Sequence, residues 1–136
     1  MGYPKKYDAQ NAPAEVLRLT ERLVPLLLEG VHPALLALRE QFLRARVKEV
    51  ELTGVGFYVD FEVPSDAPLA EPKDISGGDA RLTIEGVTYS AGCVLFVRAG
   101  RLATLEGYTY GDDTWEENAA VLSIDDVFPI LPNDGS

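Results

Sequence analysis

Apolar residues in the first third of the chain recur at helical spacing. Val16, Leu19, Leu23 and Leu26 or Leu27 form a stripe that Leu17, Val24 and Leu28 widen, while Arg18, Glu21, Arg22 and Glu29 fall on the other side. Pro13 suits a helix start, because its missing N–H lies among groups that have no intrahelical partner there. Pro25 removes the bond to the Glu21 carbonyl and is expected to kink or end the helix, with Gly30 as the C-terminal stop. A second helix is expected to open at His32-Pro33. Its stripe is Leu35, Leu38 and Phe42, flanked by Leu36 and Leu43, with Arg39, Gln41 and Arg44 facing water. From Val47 the period becomes two. Lys48, Val50 and Leu52 alternate with acids, and Phe57, Val59, Phe61 and Val63 alternate with Tyr58, Asp60 and Glu62.

The remainder reads as further strands and turns. Gly54 and Gly56 predict a tight turn or bulge between the first two strands. Residues 64–79, with three prolines and a Ser76-Gly77-Gly78 turn, predict a long loop. Residues 81–85 form a short half-exposed strand that ends at Gly86. Residues 93–97, apolar at every position, suggest the central strand. Ala99-Gly100 predicts a two-residue hairpin turn into Leu102 to Leu105. Residues 119–124 suggest a last strand. Two helices followed by hairpin-linked strands give the α+β class, a helical hairpin packed on one face of a mainly antiparallel β-sheet. The division is one domain over 1–136: an N-terminal arm over 1–13, the helical hairpin over 14–46, the sheet over 47–124 and an irregular tail over 125–136.

Length and composition narrow the class. A chain of 136 residues can bury a core without disulfides, and its single cysteine, Cys93, fits a reducing compartment. The basic N-terminal residues are not followed by an apolar segment, and the apolar run from Leu23 to Leu28 is too short for a span, so a cytoplasmic protein is expected, with no membrane association. Charge is uneven. Residues 1–50 carry eight basic and six acidic side chains, and residues 51–136 carry four basic and sixteen acidic, for a total of −10. Such a surface repels a phosphate backbone, which argues against nucleic acid, and attracts a basic protein.

Chemistry concentrates in residues 105–117, where Tyr108, Tyr110 and the sole tryptophan, Trp115, stand among Glu106, Asp112, Asp113, Glu116 and Glu117. Tyrosine and tryptophan are favoured anchors of interfaces, and carboxylates around them select Lys- or Arg-rich partners. Glu106, Tyr108, Tyr110, Asp112, Asp113 and Trp115 are therefore the candidate binding residues. The competing reading folds the three rings back over the end of the sheet. Catalytic alternatives are thin. A Cys93–His32 dyad would need a reactive thiol, yet Cys93 lies in an apolar strand, and His32 suits a helix cap. Asp112, Asp113, Glu116 and Glu117 could ligate a hard cation but lack the spacing of a calcium loop. No cofactor motif is present, so none is assigned. Asp60 and Glu106 could serve a small hydrolase if they converged in a cleft. A small-ligand binder would need an apolar cavity between helices and sheet.

Three segments carry a resemblance. Residues 54–64 read G-V-G-F-Y-V-D-F-E-V-P, residues 91–102 read A-G-C-V-L-F-V-R-A-G-R-L, and residues 105–112 read L-E-G-Y-T-Y-G-D. Together they resemble a family of small uncharacterised bacterial proteins with G-x-G-F-x-x-x-F-E-V-P, G-x-x-L-F-V-x-x-G-x-L and L-E-G-Y-T-Y patterns. The resemblance spans residues 50–117, leaves out the helical hairpin and implies no activity. Small acidic bacterial proteins include immunity proteins that block toxins, which by analogy of size and charge makes an immunity-type partner the concrete case. The expected function is thus a non-enzymatic protein-interaction module with a basic partner, in which homo-oligomers are also allowed.

Overall fold

Alternating side chains pair across strands only when the chain folds back on itself, and here it does so through most of its length. The computed structural model describes residues 2–73, 75 and 77–132. In chain order these form β1 (Lys5–Tyr7), α1 (Ala14–Leu27), α2 (Pro33–Arg44), β2 (Arg46–Leu52), β3 (Gly56–Glu62), β4 (Asp79–Ile84), β5 (Ala91–Arg98), β6 (Arg101–Thr109) and β7 (Val121–Phe128). The seven strands make one antiparallel sheet in the order β1-β2-β3-β6-β5-β4-β7. The class is α+β. No helix among the described residues is long and apolar enough to cross a membrane.

Several boundaries differ from the sequence reading. Residues 1–13 are not merely an arm, since Lys5 and Tyr7 pair with Leu52 and Val50 at one sheet edge. The last strand runs on to Phe128, because Asp126, Val127 and Phe128 find partners in Arg81, Ala80 and Asp79. The irregular tail therefore begins beyond it, where buried Ile130 donates its N–H to the Leu27 carbonyl. Residues 133–136 of that tail, and Ser76 of the expected turn, lie outside the described residues. The centre of the sheet is β6 rather than β5. Cys93 and Leu95 are buried, but Val94 and Phe96 on the other face of β5 are only half-buried.

Pro25 does not break α1. It stands in the last turn, where the helix has only two more residues to run, and the Leu28 N–H closes the end on the Val24 and Pro25 carbonyls. His32 caps α2 as its position before Pro33 suggests, its Nδ1 accepting from the Ala34 N–H at 3.0 Å. Arg39 donates to the Leu28 and Gly30 carbonyls at 2.6 and 2.9 Å, satisfying acceptors that the end of α1 leaves open. Within β2 a bulge turns Lys48 out of the alternation, so Val47 and not Lys48 stands opposite the strand partner Phe61. The Ala99-Gly100 turn has φ of 51° and 78°, the paired positive values of a tight hairpin turn whose twist matches its strands.

One buried cluster contains Leu19, Leu23 and Leu27 of α1, Leu35 and Leu38 of α2, and alternate strand residues including Val50, Phe57, Val59, Leu95 and Leu105. Gln41 was expected in water, yet it is fully buried. Its Nε2 donates to the Pro68 and Gly100 carbonyls at 2.7 and 2.8 Å, and its Oε1 accepts from the Leu102 N–H at 2.9 Å. A buried amide that meets three backbone groups ties α2 to both the β5–β6 turn and the long loop after β3. Replacing Gln41 with Leu keeps the volume and takes the amide's partner from the Pro68 carbonyl and the Leu102 N–H, while the Gly100 carbonyl keeps the Ala70 N–H. Urea unfolding should show a loss of about 3 kcal/mol with an unchanged m value. A loss below about 0.5 kcal/mol would mean the amide is no anchor.

Candidate functional site on the sheet

Period two assigns the strand residues to two faces, and register decides which become neighbours. Phe57, Val59, Leu105, Cys93 and Leu95 share the buried face. The opposite face carries three cross-strand rows. Glu51, Tyr58, Glu106, Val94 and Asp79 stand in register across β2, β3, β6, β5 and β4. Asp60, Thr104 and Phe96 form a second row, and Gly56, Tyr108, Gly92 and Arg81 a third. Apart from buried Thr104, these side chains are half-buried or exposed, and at the glycines the backbone itself forms the floor.

Tyr108 owes its position to Gly92. A Cβ at residue 92 would fall 2.7 Å from the Tyr108 hydroxyl oxygen, so only glycine lets the ring lie flat over β5. Tyr110, 52% exposed, continues the surface edge-on to Tyr108 with ring centroids 5.7 Å apart. Asp60 accepts from the Thr104 hydroxyl at 2.8 Å. The Glu106 carboxylate beside Tyr58 is the main cause holding that hydroxyl above the ordinary tyrosine pKa, with burial and Glu51 adding to it. For Tyr108 burial comes first, followed by Tyr110, Asp79, Cys93 and Glu106. The Tyr58 shift marks this face as electronegative, and Asp79 and Glu106 add to the Tyr108 shift that burial leads. Cations are present at its margins. Arg81 is paired with Asp126, Lys6 is 4.0 Å from Glu49, and Arg98 lies over the Phe96 ring at 5.8 Å.

The structure separates the six candidate residues. Glu106, Tyr108 and Tyr110 lie on or beside this open face. Trp115 does not: it is 6% exposed, packs edge-on against Phe57 with centroids 5.1 Å apart, and its backbone N–H donates to the Gly54 carbonyl at 2.9 Å. Room for this comes from Gly107, where a Cβ would sit 2.3 Å from Phe57 Cε2. The competing reading is thus correct for Trp115 alone. Asp113 accepts from the Thr88 N–H and hydroxyl, which makes it a brace between loops. Asp112 is exposed at the rim.

Other chemistry disperses. Glu117 faces the Tyr7 hydroxyl at 3.4 Å while Asp113 holds Thr88, so the acidic loop does not converge on one centre. Among the described residues no group of three or more metal-capable side chains occurs. Cys93 is fully buried, and desolvation pushes its thiol pKa far up. Asp60 and Glu106 share the open face in adjacent strands, not a cleft. A groove of ≈ 420 Å³ lies elsewhere, lined by Leu17, Thr20, Phe42, Leu43, Val47 and Phe61. Sequence reasoning missed Glu51, Asp79, Val94 and Phe96 as members of the face. The alternation within β5 was obscured because both of its faces are apolar. No family model, curated protein or solved structure matches the chain.

Two outcomes check this geometry. Gly107→Ala should cost about 2 kcal/mol and alter Trp115 fluorescence, since the added methyl strikes the ring on which the indole rests. A variant with wild-type stability and emission would contradict that packing. The raised tyrosine pKa values mean the native state retains protons the unfolded chain has lost. Their stabilisation is complete below the unfolded tyrosine pKa and disappears as pH rises through the folded values. Ultraviolet titration of Glu106→Gln should therefore bring Tyr58 to lower pH, with a smaller shift of Tyr108 in the same direction. An unchanged curve would detach Tyr58 from Glu106.

Proposed function

We propose that this chain is a non-enzymatic interaction module that binds a basic protein through the open face of its sheet, around Glu106, Tyr108 and Tyr110, with Asp112 at the rim. In this reading the two helices form a hairpin that covers the other face. The protein works in the cytoplasm, and an immunity-type pairing remains the concrete case. Supporting it is the register that brings Glu51, Tyr58, Glu106 and Asp79 into one row beside Tyr108. Aromatic rings supply contact area at little entropic cost, and the carboxylates select and steer the partner. The family resemblance adds no activity to this reading.

The hydrolase alternative would need Asp60 and Glu106 in an enclosed site, and Asp60 is instead occupied by the Thr104 hydroxyl. A small-ligand binder has one observation in its favour, the apolar groove where α1 and α2 meet β2 and β3. It is the second reading.

Affinity capture at low salt with the wild type and a Glu106→Lys/Tyr110→Ala variant separates these ideas. The expected result is a basic protein bound by the wild type, released by salt, and held at least about tenfold more weakly by the variant, with unchanged thermal unfolding. The same partners at the same affinity for both proteins would reject this face.

A further inference from the structure

Every strand from β2 to β4 is already hydrogen-bonded on both sides, so the open face offers a partner side chains and no free backbone. An extended peptide gains its affinity from main-chain pairing at a sheet edge and would find none here. A helix completes its own backbone bonds and needs only a matching surface. Its natural place on a sheet is flat against a face, as in layered α and β architectures.

The chemistry of the face is graded across its width. Tyr58, Val94, Phe96 and Tyr108 make an apolar floor over β3, β6 and β5, with Glu106 among them. Glu49 and Glu51 on β2 form one acidic flank, and Asp79 on β4 forms the other. Four inter-strand steps of about 4.8 Å place these flanks about 19 Å apart. A helix is about 10–12 Å across, which leaves about 4 Å on either side, within reach of a lysine or arginine head group. Within the chain Lys6 reaches only Glu49, at 4.0 Å, and leaves Glu51 to a partner, while Arg81 and Arg98 lie against Asp126 and the Phe96 ring.

We infer that the partner presents a basic amphipathic helix, laid along β6 and β5 with its apolar stripe on the Tyr58–Tyr108 floor and its cations toward the two acidic flanks. The inference rests on the proposed role of this face and narrows the partner from any basic protein to one class of element.

The test uses the full chain and two peptides of about fourteen residues with identical leucine and lysine content. In one, leucine recurs every three and four residues; in the other, it alternates with lysine. Polylysine is the third probe. With isotope-labelled protein, the helical-pattern peptide should shift the amides of Tyr58, Val94, Phe96, Glu106 and Tyr108 and gain helical circular dichroism on binding. It should bind at least tenfold more tightly than the other two. Glu106→Lys and Val94→Arg should each weaken it at least tenfold; the mapping on wild type stands even if either variant fails to fold. Equal binding of the alternating peptide or polylysine to these residues would overturn the helix while leaving a basic partner in place. Shifts confined to the groove around Leu17 and Phe42, or none with any probe, would overturn both.

Discussion

The course of the aromatic-acidic segment after β6 follows from where one ring can go. Phe57 reaches across β6 because residue 107 has no side chain, and Trp115 then packs against Phe57 while its backbone is tied to Gly54. That contact draws the acidic segment after β6 back over the end of the core. Large aromatic rings bury enough surface to outweigh the entropy of ordering a loop. The segment's tryptophan is thereby spent on stability, and its tyrosines, two and four residues beyond Glu106, are left to the outside.

A second glycine does for the outer face what Gly107 does for the inner one. Gly92 clears space for Tyr108, so both sides of the β5–β6 pair are shaped by a missing Cβ beside an aromatic ring. The result is a sheet whose two surfaces have opposite chemistry. One is continuous hydrocarbon around Val59, Leu105 and Leu95. The other mixes rings with carboxylates that raise the pKa of neighbouring tyrosine hydroxyls. A surface of this kind keeps the protein apart from other anions and leaves it open to a cationic partner.

Polar groups inside the molecule hold long-range connections that apolar packing would leave imprecise. Gln41 joins α2 to the β5–β6 turn and to the loop after β3, and Arg39 joins α2 to the end of α1. Each satisfies backbone acceptors that have no partner within their own element. Buried hydrogen bonds contribute little net energy but penalise every arrangement that breaks them, so they specify position more than they stabilise.

Local physics was enough for the sequence to determine the elements themselves. Helical spacing placed α1 and α2, alternation placed β3, and the Ala99-Gly100 pair placed the hairpin turn, because each depends on residues within a few positions of one another. Charge likewise motivates the proposal of a basic partner. Only the tertiary structure decided that β6 occupies the centre, that Gln41 lies inside, that Trp115 joins the core and that Glu51, Glu106 and Asp79 share a row. Those outcomes depend on contacts between segments tens of residues apart, where a one-residue change of register would carry every side chain to the other face.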